Sequence, residues 1–104
     1  MESALQHQDT EHTLLVSISV QILDDLDTEE FRLLAKSAGA DILEHIHVQR
    51  VKPDPKYFIG SGKAEEIAER VQALEIGLVI FDQALTPSQE RNLSRVLNCR
   101  VIDR

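Results

Sequence analysis

Gly77-Leu78-Val79-Ile80-Phe81-Asp82, followed three residues on by Thr86-Pro87-Ser88-Gln89, decides the fold. Four bulky apolar residues between a glycine and an aspartate read as a short strand buried on both faces, the pattern of a parallel sheet. Thr86 then stands where a helix N-cap stands, with proline at the first helical position and Gln89 placed to close a capping box. A buried strand that delivers the chain into a capped helix is a βα unit, so the class is α/β.

Working outward, Leu93, Val96 and Leu97 form the buried stripe of that helix. Asn98 suits a left-handed stop, and Arg100 to Asp103 form the last strand. Upstream, a helix starts at Ser61, whose hydroxyl can cap it, and Ala64, Ile67, Ala68, Val71 and Leu74 give it an apolar stripe. Asp41 to Lys52 form an edge strand with Ile42, Ile46 and Val48 on one side and His45, His47 and Gln49 on the other. The two histidines share a side, but no third ligand stands at a metal-site spacing, so they are read as solvated and no metal is expected. His12 to Val20 form a strand covered on both faces. Asp27 or Thr28 caps the helix that follows, with Glu30 completing a box, Phe31, Leu34, Ala35 and Ala38 as its stripe, and Gly39 as its stop.

The order is β-α-β-α-β-α-β. Right-handed crossovers then give one α/β domain over residues 12–104, a four-stranded parallel sheet of order 2-1-3-4 with helices on both faces. Residues 1–11, polar and without periodicity, read as a disordered leader. In a parallel sheet every strand-to-helix loop emerges at the carboxyl edge, so Gln21 to Asp27, Pro53 to Lys63 and Asp82 to Pro87 share one rim. That rim is the candidate functional surface.

Composition narrows the classes. At 104 residues with 42% hydrophobic side chains the chain carries one core. A lone Cys99, read as a small strand residue, makes no internal disulfide, and no segment reads as a membrane span or secretory signal, so the expected setting is cytoplasmic. A formal charge of -7 argues against a non-specific nucleic-acid binder, and no DNA partner is expected. That charge is unevenly spread: residues 1–49 hold two basic and ten acidic side chains, residues 50–104 nine and eight.

Lys56-Tyr57-Phe58-Ile59-Gly60-Ser61-Gly62-Lys63 looks like a nucleotide loop and fails the tests for one. Tyr57 stands where a P-loop needs its first glycine, and Ala64 where it needs a magnesium-binding hydroxyl. Glu65 takes the third-glycine place of a dinucleotide fingerprint. What remains is a helix start at which the amides of Gly60, Ser61 and Gly62 and the ammonium of Lys63 can hold an anion. Tyr57 and Phe58, two of the four aromatics, lie near Arg50, Lys52, Lys56 and Lys63. RNA recognition uses such a mixture for phosphate pairing and base stacking, so Arg50, Lys52, Lys56, Tyr57 and Lys63 are the expected RNA contacts, while Phe58 and Ile59 also serve to pin the loop to the core. No catalytic constellation stands at a recognisable spacing. A phosphoacceptor built on Asp24, Asp25 and Asp82 would lack a fifth strand and its lysine. The alternative to RNA docking is a small ATP-binding domain using the strand-to-helix loops.

Tyr57-Phe58-Ile59-Gly60-Ser61-Gly62-Lys63-Ala64-Glu65-Glu66, then Val79-Ile80-Phe81-Asp82, then Leu85-Thr86-Pro87-Ser88-Gln89-Glu90-Arg91-Asn92-Leu93, and finally Val101-Ile102-Asp103-Arg104 together resemble the N-terminal domain of HflX-type GTPases. Ala35-Lys36-Ser37-Ala38-Gly39-Ala40 fits as well, so the resemblance runs from about residue 14 to the end. It implies a parent that continues into a helical hairpin and a GTPase domain holding GTP and magnesium, both outside this chain. It further implies binding of the large ribosomal subunit, contact with its rRNA, and splitting of stalled ribosomes. On that reading the present chain is a monomeric docking module, without cofactor or catalysis of its own.

Overall fold

In the computed structural model the elements are β1 (His12–Ser19), α1 (Asp25–Ser37), β2 (Asp41–Gln49), α2 (Ser61–Leu74), β3 (Leu78–Phe81), α3 (Pro87–Leu97) and β4 (Arg100–Asp103). The four strands form a parallel sheet ordered β2-β1-β3-β4, with the run Leu78–Phe81 third. The structure describes residues 11–19, 25–49 and 54–103. Val20 and Lys52, expected at strand ends, and residues 1–10 of the expected leader lie outside the described residues.

The sheet separates two cores. On one face Leu14, Val16 and Ile18 of β1 join Val48, Val79, Phe81 and Val101 beneath α2 and α3, which contribute Ala64, Ile67, Val71, Leu93 and Leu97. On the other face α1 packs Phe31 and Ala35 on Leu15. β1 is therefore covered on both faces, as its continuous apolar run requires. β3 is not. Ile80 is only half-buried, because α1 lies over β1 and β2 and no described helix covers the β3–β4 half of that face. For the same reason the α1 stripe is narrower than its spacing suggested: Leu34 is 55% exposed and Ala38 is exposed.

Four local expectations change. A bulge between Thr13 and Leu14 shifts the β1–β2 register, so Thr13 faces Ile42 but Leu14 faces Glu44. Ile42 thereby packs with the α1 cluster while Ile46 packs with the larger one, which breaks the parity that placed them together. Helix α1 begins at Asp25, so neither Asp27 nor Thr28 is its cap; acids favour the first turn as well as the cap, and the pattern alone does not distinguish them. Helix α2 is entered through Gly60, with no side-chain cap from Ser61. Cys99 lies in the turn before β4 rather than in the strand.

Other signals hold. Thr86 Oγ1 accepts from the Gln89 amide at 3.1 Å while Gln89 Oε1 accepts from the Thr86 amide at 2.9 Å, completing the box. Asn98 ends α3 at φ 58, and Gly39 follows α1 at φ 96. Among the described residues no helix is long and apolar enough to cross a membrane.

Candidate functional site

The carboxyl rim is built from aspartates that face inward. Asp82, at the end of β3, accepts the Ile18 amide at 2.9 Å through Oδ1, tying β3 to the end of β1. Asp103, at the end of β4, accepts the Leu85 amide at 2.6 Å and fixes the β3–α3 loop. Asp54 accepts the amides of Lys56 and Tyr57 at 3.0 and 2.9 Å, and its own amide and carbonyl exchange hydrogen bonds of 2.8 Å with Phe58. Each of these carboxylates accepts a backbone donor, so Asp82 helps to hold the sheet together, while Asp24 of the phosphoacceptor reading lies outside the described residues.

The Asp54–Gly60 turn is also tied to α3. Gln89, 6% exposed, turns its amide nitrogen to the Asp54 carbonyl at 2.7 Å while its oxygen closes the capping box. Asn92 Nδ2 donates to the Lys56 carbonyl at 3.1 Å. Ile59 is buried, and Tyr57 and Phe58 are half-buried against the larger core. Both aromatics thus anchor the turn, Phe58 doing so at φ 72. Lys56 Nζ lies 5.2 Å from the centre of the Tyr57 ring, a cation–π contact that occupies one ring face.

Among the residues expected to bind RNA or an anion, the structure brings Lys56, Tyr57, Gly60, Ser61, Gly62 and Lys63 to one continuous segment, the turn and first residues of α2. Arg50 and Lys52 lie outside the described residues. Lys63 Nζ pairs with Glu66 at 3.1 Å, one turn along the helix. The α2 terminus carries no side-chain cap, so its first amides point outward unassisted.

The two glycines differ. Gly60, at φ 88 and ψ 156, occupies a region essentially closed to other residues. Gly62 is helical, and a Cβ there would meet nothing within 4 Å. Gly60→Ala is expected to cost about 1–3 kcal/mol, whereas Gly62→Ala should leave stability unchanged or raise it by about 0.4–1 kcal/mol. Urea midpoints of the two variants decide this, and a loss at Gly62 comparable to that at Gly60 would contradict the geometry.

On the opposite face His45 departs from its expected solvated state. It is half-buried, 2.6 Å from Ser17 Oγ, stacked on His47 at 4.4 Å and edge-on to Phe31 at 6.1 Å. Burial, then the neighbouring His47 and Arg32 charges, lower its pKa from 6.5 to about 4. Folding therefore holds His45 neutral, and the unfolded chain binds the extra proton between those values. The part of the stability linked to His45 is full above pH 6.5 and is lost as pH falls from 6.5 to about 4. His45→Gln should flatten that part of a pH series of urea midpoints, and an unchanged slope would assign the dependence elsewhere. Among the described residues no group of three or more ligating side chains could hold a metal ion.

The profile of the family described as GTP-binding GTPase N-terminal matches residues 25–104. The chain belongs to this family. It is 52% identical over 95 residues to the GTPase HflX of Escherichia coli K12, an overlap of 90% of this chain and 22% of that protein. Against the GTPase HflX of Thermococcus kodakarensis it is 42% identical over 79 residues, 76% of this chain and 18% of the relative. The HflX-type resemblance of its motifs is thus borne out, and the domain spans about a fifth of those relatives' length. Among solved structures it superposes on the complex of SsGBP and GDP with a TM-score of 0.67 at 22% identity, covering 88% of this chain and 26% of that one. A GTP-binding protein of Sulfolobus solfataricus with GDP gives 0.59 at 21% identity, over 86% and 27%. At such identity these likenesses establish the fold alone.

Proposed function

We propose that this HflX-type N-terminal domain is a docking module that meets ribosomal RNA of the large subunit through its carboxyl rim, in a cytoplasmic protein whose GTP and magnesium chemistry resides in a separate GTPase domain. The observation that supports this most is the Asp54–Gly60 turn. Bonds from Gln89 and Asn92 hold its backbone to α3, so Lys56, Tyr57 and the uncapped start of α2 form a preorganised cationic edge in an acidic chain. Rigid presentation lowers the ordering cost of docking. Phosphates of the RNA backbone suit the outward amides and ammonium groups. Arg50 and Lys52 extend the same basic run in sequence. The domain itself performs no catalysis on this reading.

Cosedimentation of the chain with purified large and small ribosomal subunits tests the proposal. Recovery with large subunits, weakening as salt rises, is expected; equal recovery with small subunits, or none with either, would refute it. Titration with GTP and magnesium should give no saturable heat. The ATP-binding alternative places phosphates at the β1–β3 switch point, where the Asp82 carboxylate already takes the Ile18 amide. It is left with the α2 terminus, and ATP binding that survives Ser61→Pro, which removes a terminal amide at a first helical position that tolerates proline, together with Lys63→Ala would move the site away from that turn.

A further inference from the structure

A second cationic surface lies away from that rim. Among the described residues β4 is the outer strand of the sheet beside β3, and no strand pairs with its other side. The Arg100 amide donates inward to the Gly77 carbonyl at 3.3 Å, so by strand alternation the backbone groups of Val101 and Asp103 face the open side. An open groove of about 580 Å³ runs along this edge, bounded by α3 and lined by Arg91, Arg95, Arg100 and Ile102, with Glu90 the one acidic side chain in its lining. Arg91 and Arg95 stand one turn apart, and among the described residues neither forms an ion pair. Arg100 shares its charge with Glu11 at 3.1 Å. Ile102, 37% exposed, is in register with Ile80 on the α1 face of the sheet, which leaves apolar surface on the other side of the same edge.

We infer that this edge accepts an extended acidic peptide segment of a partner protein, which adds to β4 as a fifth strand. A strand satisfies both the donors and the acceptors of an open edge at the strand's own spacing, whereas a nucleic-acid backbone offers phosphate acceptors to the arginines but no row of N–H donors in register with the outward carbonyls. Alternation then dictates the partner sequence. Residues facing α3 are Glu or Asp, at a spacing that the one-turn separation of Arg91 and Arg95 matches, and residues between them are apolar and cover Ile102.

Fluorescence anisotropy of the 104-residue chain with a labelled Glu-Val-Glu-Val-Glu peptide flanked by glycines tests this, alongside a Lys-Val-Lys-Val-Lys peptide and oligouridine. Saturable binding of the acidic peptide alone is expected. Arg91→Glu with Arg95→Glu should weaken it about tenfold or more, and the paired Lys variants should retain most of it. In amide NMR spectra of the wild type, the Val101 and Asp103 resonances should shift on binding. The inference is overturned if the acidic peptide does not bind, if charge reversal of a still-folded chain leaves its affinity unchanged, or if oligouridine binds through the same arginines while the peptide does not. The last outcome would make the groove a nucleic-acid surface.

Discussion

Replacing Gln89 by alanine is expected to lower stability by about 1–2.5 kcal/mol and to weaken docking, a double effect unusual for one uncharged side chain. The stability loss combines two sources: the Gln89 half of the capping box, at up to about 1 kcal/mol, and the net value of one hydrogen bond to the Asp54 carbonyl, about 0.5–1.5 kcal/mol, since that carbonyl keeps the Phe58 amide. The docking loss follows because the Nε2 donation to the Asp54 carbonyl is one of the two α3 side-chain bonds that hold the Asp54–Gly60 turn. Gln89→Glu separates the two. A carboxylate still accepts the Thr86 amide, but it turns an oxygen against the Asp54 carbonyl. Helix α3 should therefore keep its cap while the turn loosens. Chemical denaturation gives the first term, and hydrogen exchange of the Lys56 and Tyr57 amides, which donate to Asp54, gives the second. Unchanged exchange in Gln89→Glu would show that Asn92 and the core anchors hold the turn alone.

Phe81→Ala carries the largest expected stability loss, about 3–5 kcal/mol for a fully buried aromatic side chain. Phe81 is 0% exposed, at the end of β3 and in the core shared by β1, α2 and α3. Its neighbour in sequence, Asp82, is the residue that ties β3 to β1. The cavity thus opens directly beneath the rim. For a domain of this size such a loss consumes a large part of the usual total stability, about 5–15 kcal/mol. Thermal unfolding should drop well below that of the wild type, and a loss under about 1 kcal/mol would mean that the core refills the space as few cores do.

Much of this architecture was legible because local signals and tertiary packing agree. Thr86, Pro87 and Gln89 specify a helix start by chemistry confined to four residues, and the Leu78–Phe81 run marks a core strand, although the cover expected on both its faces stops short at Ile80. Strand order followed from which strands were apolar on both sides. The failures share a cause, namely properties that depend on distant partners. A bulge opposite Thr13 moves Ile42 to the other face, and nothing within β2 announces it. His45 looks solvated until α1 lays Phe31 against it and β1 supplies Ser17. Ser61 has a suitable cap hydroxyl, yet Gly60 takes the entry because its φ of 88 lets the tied turn run straight into α2.

The site was only half legible for the same reason. Lys56, Tyr57 and Lys63 sit close together in any fold. The joint that fixes them does not, since Gln89 lies 35 residues from Asp54. Its capping role concealed the second use of its amide, and no short-range pattern reports a side chain that serves two elements.

One measurement tests rim docking most directly: cosedimentation with large ribosomal subunits across a salt series for the wild type, for Arg50→Ala/Lys56→Ala/Lys63→Ala, and for Glu29→Ala/Glu30→Ala on the exposed face of α1. Each lost phosphate contact should flatten the dependence of log affinity on log salt by about 0.7–0.9. The basic triple variant is therefore expected to bind more weakly, with a slope reduced by up to three such steps, at nearly unchanged stability, while the α1 variant matches the wild type. If the basic variant keeps the wild-type affinity and slope and the α1 variant loses binding, the rim is not the docking surface.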